Sequence, residues 1–270
     1  MNVTPQEVES FTLVLYEKFG LDFTCYEPKS LQRRINKVLH VLKCSNTLEL
    51  WNKILKDNNL LSVFMDELSV GLTSMFRDPS VWSTLRAILF DKQDSNLSVW
   101  NAGCSTGEEV YTLAIVLREI NMANKVKVHA TDMNRTAISI AKSGIYHKIK
   151  IAEYSNKYKE YNKFGQFDRF YKKFDDNHVQ MDDSLISNVR FNYHNLVTDP
   201  FLNKYDLIFC RNVMIYFDQQ MKNKLLEKFY QALNPGGYLI IGFYDSLLPE
   251  SERSKYNVDL AQLRIFKKLA

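Results

Sequence analysis

Residues 97–109 read LSVWNAGCSTGEE, and this stretch decides the fold. Leu97 to Trp100 is the short apolar run of a buried strand, Gly103 to Gly107 a glycine-bearing turn, and Val110 to Ile120 an apolar helix. The same grammar continues downstream. Val126 to Ala130 reads as the next strand, ending at Thr131-Asp132, and Thr136 to Lys142 as the next helix. Tyr205 to Cys210 is a nearly all-apolar strand and Gln219 to Leu233 a helix. Asn234-Pro235-Gly236-Gly237 then predicts a turn into a strand over Tyr238 to Gly242. Strands alternating with helices imply a parallel sheet with crossover helices.

Upstream of that unit the pattern is helical. Thr4-Pro5 followed by Glu7 is a helix-start signature, and Phe11, Val14, Leu15 and Phe19 recur at helical spacing until Gly20. Pro28 opens a second helix with the stripe Leu31, Ile35, Val38, Leu39 and Leu42, off which Arg33, Arg34 and Lys37 are expected to fall. Two more helical stretches, near 48–55 and 60–68, complete an all-helical unit. Residues 145–195 interrupt the alternation with a polar, tyrosine-rich stretch and two predicted strands, near 178–181 and 189–194. This reads as an insertion carrying a small antiparallel element.

Composition narrows the class of function. Hydrophobic residues are 46% and charged residues 24% of 270, a globular balance, and no apolar run is long enough to span a bilayer. The N-terminus lacks a basic stretch followed by an apolar one, so a cytoplasmic address is the expectation. Four cysteines with no CxxC pair suggest neither a disulfide framework nor a zinc ribbon, and no metal is expected. A net charge of +4 does not by itself argue for nucleic acid. Tyrosines interleaved with lysines in the insertion raise that reading, but an ordinary solvated face explains them better.

In an open parallel sheet, ligands bind beyond the carboxyl ends of the strands where strand order reverses. Gly103 would let the backbone approach a ligand closely, yet the G-x-x-x-G spacing fits neither a dinucleotide loop nor a P-loop. Glu108 and Glu109 would repel a pyrophosphate and suit an ammonium or sulfonium centre. Asp132 can accept from both ribose hydroxyls, or else merely cap the helix starting near Asn134. These two loops describe a nucleoside site without a phosphate requirement, which fits S-adenosylmethionine better than NAD or ATP. Arg211-Asn212 at a strand end, Tyr216 one turn on, and Asn195-Leu196 after the preceding strand are further candidates, with the core as an alternative home for Tyr216. Arg77 either pairs locally with Asp78 or reaches across to the sheet's ligand edge.

Taken jointly, LTSMFRDPSVW (72–82), VWNAGCSTGEEVYTLA (99–114), ATDMNRTAISIAKSGIY (130–146), YHNL (193–196), DLIFCRNVMIYFD (206–218) and LNPGGYLIIG (233–242) resemble the CheR-type chemoreceptor glutamate O-methyltransferases. The resemblance implies an α/β fold. A Rossmann-like S-adenosylmethionine-dependent methyltransferase domain (96–270) would carry a small all-helical N-terminal domain (1–72), a linker and helix (73–95), and an inserted antiparallel β-subdomain within 145–195. It assigns cofactor contacts to Thr73, Arg77, Glu109, Asp132, Asn195, Leu196, Arg211 and Asn212, and places Arg77 and Tyr216 at the methyl-transfer centre. It implies glutamate methyl esters on the cytoplasmic domain of a chemoreceptor. Arg33, Arg34 and Lys37 would form the docking face, with the 145–195 insertion a second one. A CheR-like enzyme with another acceptor, or a module that binds without turnover, remains open. The chain departs from the family pattern at Gly71 and Met75, at Val110, and at Phe243-Tyr244-Asp245, where the pattern has H-S-E; the last puts substrate fit in question.

Overall fold

The computed structural model describes residues 3–68, 73–201, 203–245 and 253–269. Gly71 and Leu72, and Ser246 and Leu247 of the altered C-terminal motif, lie outside them. The chain begins with α1 (Pro5–Phe19), α2 (Pro28–Val41), α3 (Thr47–Lys56) and α4 (Asn58–Leu68). Thr4 accepts from the Glu7 N–H while the Glu7 carboxylate accepts from the Thr4 N–H at 2.7 Å, so α1 starts on a reciprocal cap. It stops at Gly20, whose φ of 69° a side chain would resist. Leu15, Ile35, Val38, Leu50 and Ile54 are fully buried where these helices meet.

Helix α5 (Pro79–Phe90) leads into β1 (Leu97–Ala102), α6 (Glu108–Glu119), β2 (Val126–Asp132) and α7 (Arg135–Ser143). After an insertion come β6 (Val189–Tyr193), β7 (Tyr205–Cys210), α9 (Gln219–Ala232), β8 (Leu233–Ile241), β9 (Tyr256–Asn257) and β10 (Ile265–Lys268). These strands form one sheet in the order β6-β2-β1-β7-β8-β10-β9, parallel from β6 to β8 and antiparallel beyond. Strand order reverses between β1 and β7, so the ligand crevice belongs above their carboxyl ends. Both faces of the sheet are covered, which is why its strands read as continuous apolar runs. Trp100, Ile208 and Leu239 share a core with α9 and the N-terminal helices. Val99, Leu207 and Ile240 share the other with α5, α6 and the insertion.

Two expectations change. The segment near 189–194 is not part of the inserted sheet: as β6 it pairs in parallel with β2, Val128 opposite Val189. Asn188 bridges that junction, its Nδ2 donating to the carbonyls of Ala123 and Val126. The inserted sheet is β3 (Ile145–His147), β4 (Tyr171–Lys173) and β5 (His178–Met181) in the order β3-β5-β4, with α8 (Lys148–Tyr161) between β3 and β4. Second, the residues 234–237 are no free turn. They lie within β8, and the register against β7 shifts between Tyr205 and Leu207 to absorb them.

Four of the insertion's tyrosines are core rather than a solvated face or a stacking platform. Tyr146, Tyr154, Tyr158 and Tyr161 are buried, and burial pushes their phenols upward. Each hydroxyl still finds an acceptor, Tyr158 and Tyr161 on the Glu119 carboxylate at 2.5 and 2.9 Å. Ile151, Tyr154, Tyr158 and Tyr161 recur at helical spacing, a stripe disguised by its polar letters. Among the described residues no helix is long and apolar enough to cross a membrane.

Phe76 joins this cluster to the segment before α5. Its ring lies 5.0 Å from those of both Tyr158 and Tyr161, and its N–H donates to the buried Thr112 hydroxyl at 3.0 Å. Phe76→Ala is expected to cost about 3–5 kcal/mol of stability in denaturant titration.

Candidate active site

The turn after β1 folds back on β2 through its own backbone. The N–H groups of Gly103 and Cys104 both donate to the Thr131 carbonyl, at 2.8 and 2.9 Å. Gly103 has φ of 85°, and a Cβ there would stand 2.4 Å from the Val213 side chain, so only glycine lets the two strand-end loops meet. The Asp132 carboxylate ties the turn after β1 to the turn after β2, accepting from Ser105 N–H at 2.8 Å and Asn134 N–H at 2.9 Å. The helix-capping task belongs instead to Asn134, which accepts from Ala137 N–H. Burial pushes the Asp132 carboxyl up and the backbone donors pull it back.

Arg211, at the end of β7, sits at the centre. Its side chain is 2% exposed and donates to Glu109 at 2.7 Å, to Asp78 at 2.6 Å and to the Arg77 carbonyl at 3.2 Å. Asn101 holds the other Glu109 oxygen at 2.9 Å. Arg77-Asp78 is therefore no isolated ion pair, since Asp78 is clamped to the sheet. Asn212 follows with φ of 60°, and a short turn over Met214–Tyr216 carries Tyr216 towards the helical unit. There the loop between α1 and α2 docks, with Glu27 N–H donating to the Tyr216 carbonyl and Asp218 N–H to the Cys25 carbonyl. The rings of Tyr26 and Phe217 meet edge to face.

These elements enclose a cavity of about 340 Å³ between the helical unit and the sheet, within the range of small-molecule sites. Thr73, Arg77, Gly103, Glu109 and Asp132 line it, as do Leu196, Arg211, Asn212 and Tyr216. Asn195 does not line it: it is buried alongside, its Oδ1 accepting from Val197 N–H, while His194 and Leu196 reach the cavity.

Arg34 departs from the expected solvent-facing docking surface. It is 5% exposed, donates to the Leu68 carbonyl, and lays its guanidinium 3.8 Å from the centre of the Tyr216 ring at the cavity wall. Position 34 shares a helix face with Leu31, Ile35 and Val38, so the spacing held the signal and the charge concealed it. Arg33 and Lys37 do face solvent, and Lys37 pairs with Glu67 at 2.9 Å. Tyr26, Asp66 and Met133 are further lining residues that local pattern does not single out, because they reach the site from separate elements.

The charges suit a cationic nucleoside. Arg211 is shared between Asp78 and Glu109, and Glu109 and Asp132 bring two carboxylates to the sheet side of the cavity. Arg77 lines the same cavity, and Met133, Ile140, Leu196 and Phe217 offer apolar surface for a purine. This donor set matches the ribose diol, sulfonium and amino-acid ends of S-adenosylmethionine. Fold and site together define an S-adenosylmethionine-dependent methyltransferase.

Sequence comparison makes the assignment narrower. The family model for the CheR methyltransferase all-alpha domain matches residues 6–69, and that for the CheR methyltransferase SAM binding domain matches 71–262. The chain belongs to the CheR methyltransferases. It is 32% identical over 267 residues to a Pseudomonas putida protein named Cher3, covering 98% of this chain and 97% of that one. It is 31% identical to the chemotaxis protein methyltransferase of Borreliella burgdorferi, over 99% of this chain and 96% of that one. The Listeria innocua chemotaxis protein methyltransferase is likewise 31% identical, over 88% of this chain and 89% of its own.

Removing the Asp132 carboxylate tests the ribose assignment. Asp132→Ala should weaken both S-adenosylmethionine and its demethylated product about 10- to 100-fold in calorimetry, the scale of lost hydrogen bonds to a charged group. Unchanged affinity for both would remove that contact.

Proposed function

We propose that this chain methylates glutamate side-chain carboxylates of chemoreceptors in chemotactic adaptation, acting as a protein-glutamate O-methyltransferase in the cytoplasm. The observation that carries this reading is Arg77 and Tyr216 on the wall of the cofactor cavity, with Arg34 stacked on the Tyr216 ring. Thr73, Glu109, Asp132, Leu196, Arg211 and Asn212 would hold the cofactor, with Asn195 shaping the loop that carries Leu196 through its bond to Val197 N–H. Bound S-adenosylmethionine supplies an electrophilic sulfonium methyl.

A glutamate carboxylate, with an ordinary pKa near 4.3, is ionised at neutral pH and needs no general base to attack. The Cys104 thiol beside the loop is pushed well up by burial and is no base at that pH. The enzyme's task is alignment. Arg77 offers a planar fork for the incoming carboxylate and the Tyr216 hydroxyl a second donor. Arg34 keeps the tyrosine ring from turning, and the N-terminal helices shield the displacement from water.

Arg77→Ala should lower kcat by about 10²-fold, the scale of lost alignment, with a much smaller change in cofactor affinity. Tyr216→Phe should lower it about tenfold. Radiolabelled transfer to receptor-containing membranes, with base-labile release of methanol, reads both and identifies the ester. Normal rates in both variants at saturating cofactor would overturn the catalytic assignment, and a base-stable product would overturn the ester.

With Arg34 inside the cavity, the docking role reduces to Arg33 and Lys37 on the exposed face of α2, and to the insertion. Such exposed charges act mainly on encounter and are screened by salt. Changing Arg33 and Lys37 to glutamate should raise the KM for receptor several-fold at low ionic strength, leave cofactor affinity unchanged, and fade at high salt. Identical receptor kinetics at low salt would remove α2 as a docking face.

A further inference from the structure

Asp245 is a buried carboxylate that no part of the mechanism uses. It is 2% exposed and accepts from three backbone N–H groups: Asn212 at 2.7 Å, Ile215 at 3.0 Å and Gly242 at 2.7 Å. Two of those donors belong to the turn between Arg211 and Tyr216, and the third to the residue just after β8. Asn212 sits at φ of 60°, in the left-handed region that asparagine tolerates better than most residues. The approach is close: a Cβ on Gly242 would stand 2.7 Å from the Asn212 nitrogen and 2.8 Å from Asp245 itself. Gly242 thereby lets β8 press directly against the turn. The flanking Phe243 and Tyr244 are exposed, Tyr244 by 78%, so Asp245 alone among these three altered positions is buried against the turn.

We propose that Asp245 is a positioning residue for methyl transfer, pinning the backbone of the 212–216 turn so that Tyr216 faces the acceptor. An ionised carboxylate suits this work because it only accepts, and its two oxygens can serve three N–H donors with no donor of their own in the way. An amide of the same shape cannot: one of its ends would confront an N–H with an NH2. The part of the proposal that runs through Tyr216 rests on the acceptor role given to that residue above.

The test uses Asp245→Asn, Asp245→Glu, Tyr216→Phe and the double variant Asp245→Asn with Tyr216→Phe, each assayed with receptor-containing membranes. Asp245→Asn is expected to lower kcat at least tenfold, change the Kd for S-adenosylmethionine by less than about threefold, and still unfold cooperatively above the assay temperature. Asp245→Glu, which keeps an acceptor-only group, should recover most of the rate. The double variant should be little slower than the slower single one, because both changes act through one side chain. A kcat within twofold of the parent for Asp245→Asn would overturn the proposal. So would a rate loss matched by equal losses of cofactor affinity or folded fraction, or strictly multiplicative losses in the double variant. A normal rate in Tyr216→Phe overturns that residue's acceptor role and the Tyr216 route with it. A slow, cofactor-competent, folded Asp245→Asn in the same experiment would still support the pinning of the turn, so the two failures are distinguishable.

Discussion

The guanidinium of Arg211 is the buried charge around which the site is assembled. It lies at the carboxyl end of the central strand β7 and holds Glu109 from the first turn of α6 and Asp78 from the segment ahead of α5. A cation taken out of water is tolerable only with such partners, and removing Arg211 would leave Asp78 and Glu109 without the charge they share. The planar fork makes the arrangement geometric as well as electrostatic, because its N–H directions fix where each carboxylate stands. Arg77 gains its place from this clamp: its carbonyl accepts from Arg211 and from the Trp82 indole, leaving its side chain on the cavity wall.

From that centre the structure extends outward through two backbone ties. On one side the Asp132 carboxylate joins the turn after β1 to the turn after β2, so the floor of the cavity is one connected piece. On the other, Asp245 holds the turn after β7 to the end of β8. Both are buried carboxylates satisfied by main-chain donors, and burial pushes both upward in pKa. The roof comes from a different part of the chain. Tyr26, Arg34 and Leu68 close over Tyr216 and Phe217, and the apolar core of the helical unit continues into that of the sheet.

The insertion is tied to the cofactor turn as firmly as to its own sheet. Glu108, fully buried, accepts from the Tyr154 hydroxyl at 3.0 Å and from Thr106 at 2.6 Å, with Lys150 at 3.4 Å. Tyr146 donates to the Thr106 carbonyl at 2.7 Å. Ser74 bonds to Glu153 and accepts from Lys157, linking α8 to the strip that carries Thr73 and Arg77. Of the paired glutamates, Glu109 therefore serves the cavity and Glu108 the scaffold behind it.

Local pattern alone determined the helical start of the chain, the strand-turn-helix rhythm and the strand-end positions where ligand groups converge. Each depends on residues close in sequence: the Thr4–Glu7 cap, the period of Leu31 to Val38, the glycines at 103 and 107. Those signals survive without knowledge of the fold because their physics is local. Tertiary structure decided what depends on distant partners. Arg34 looked like surface charge because its partners, Leu68 and Tyr216, lie 34 and 182 residues away along the chain. The tyrosines of α8 looked polar because the carboxylates that satisfy them stand on α6. Strand β6 looked like part of the insertion because nothing nearby reveals which sheet will take its edge. Asp245 looked like an altered substrate contact because the N–H groups it satisfies belong to a turn some thirty residues upstream. A buried charge is defined by what surrounds it, and only the folded chain brings those surroundings together.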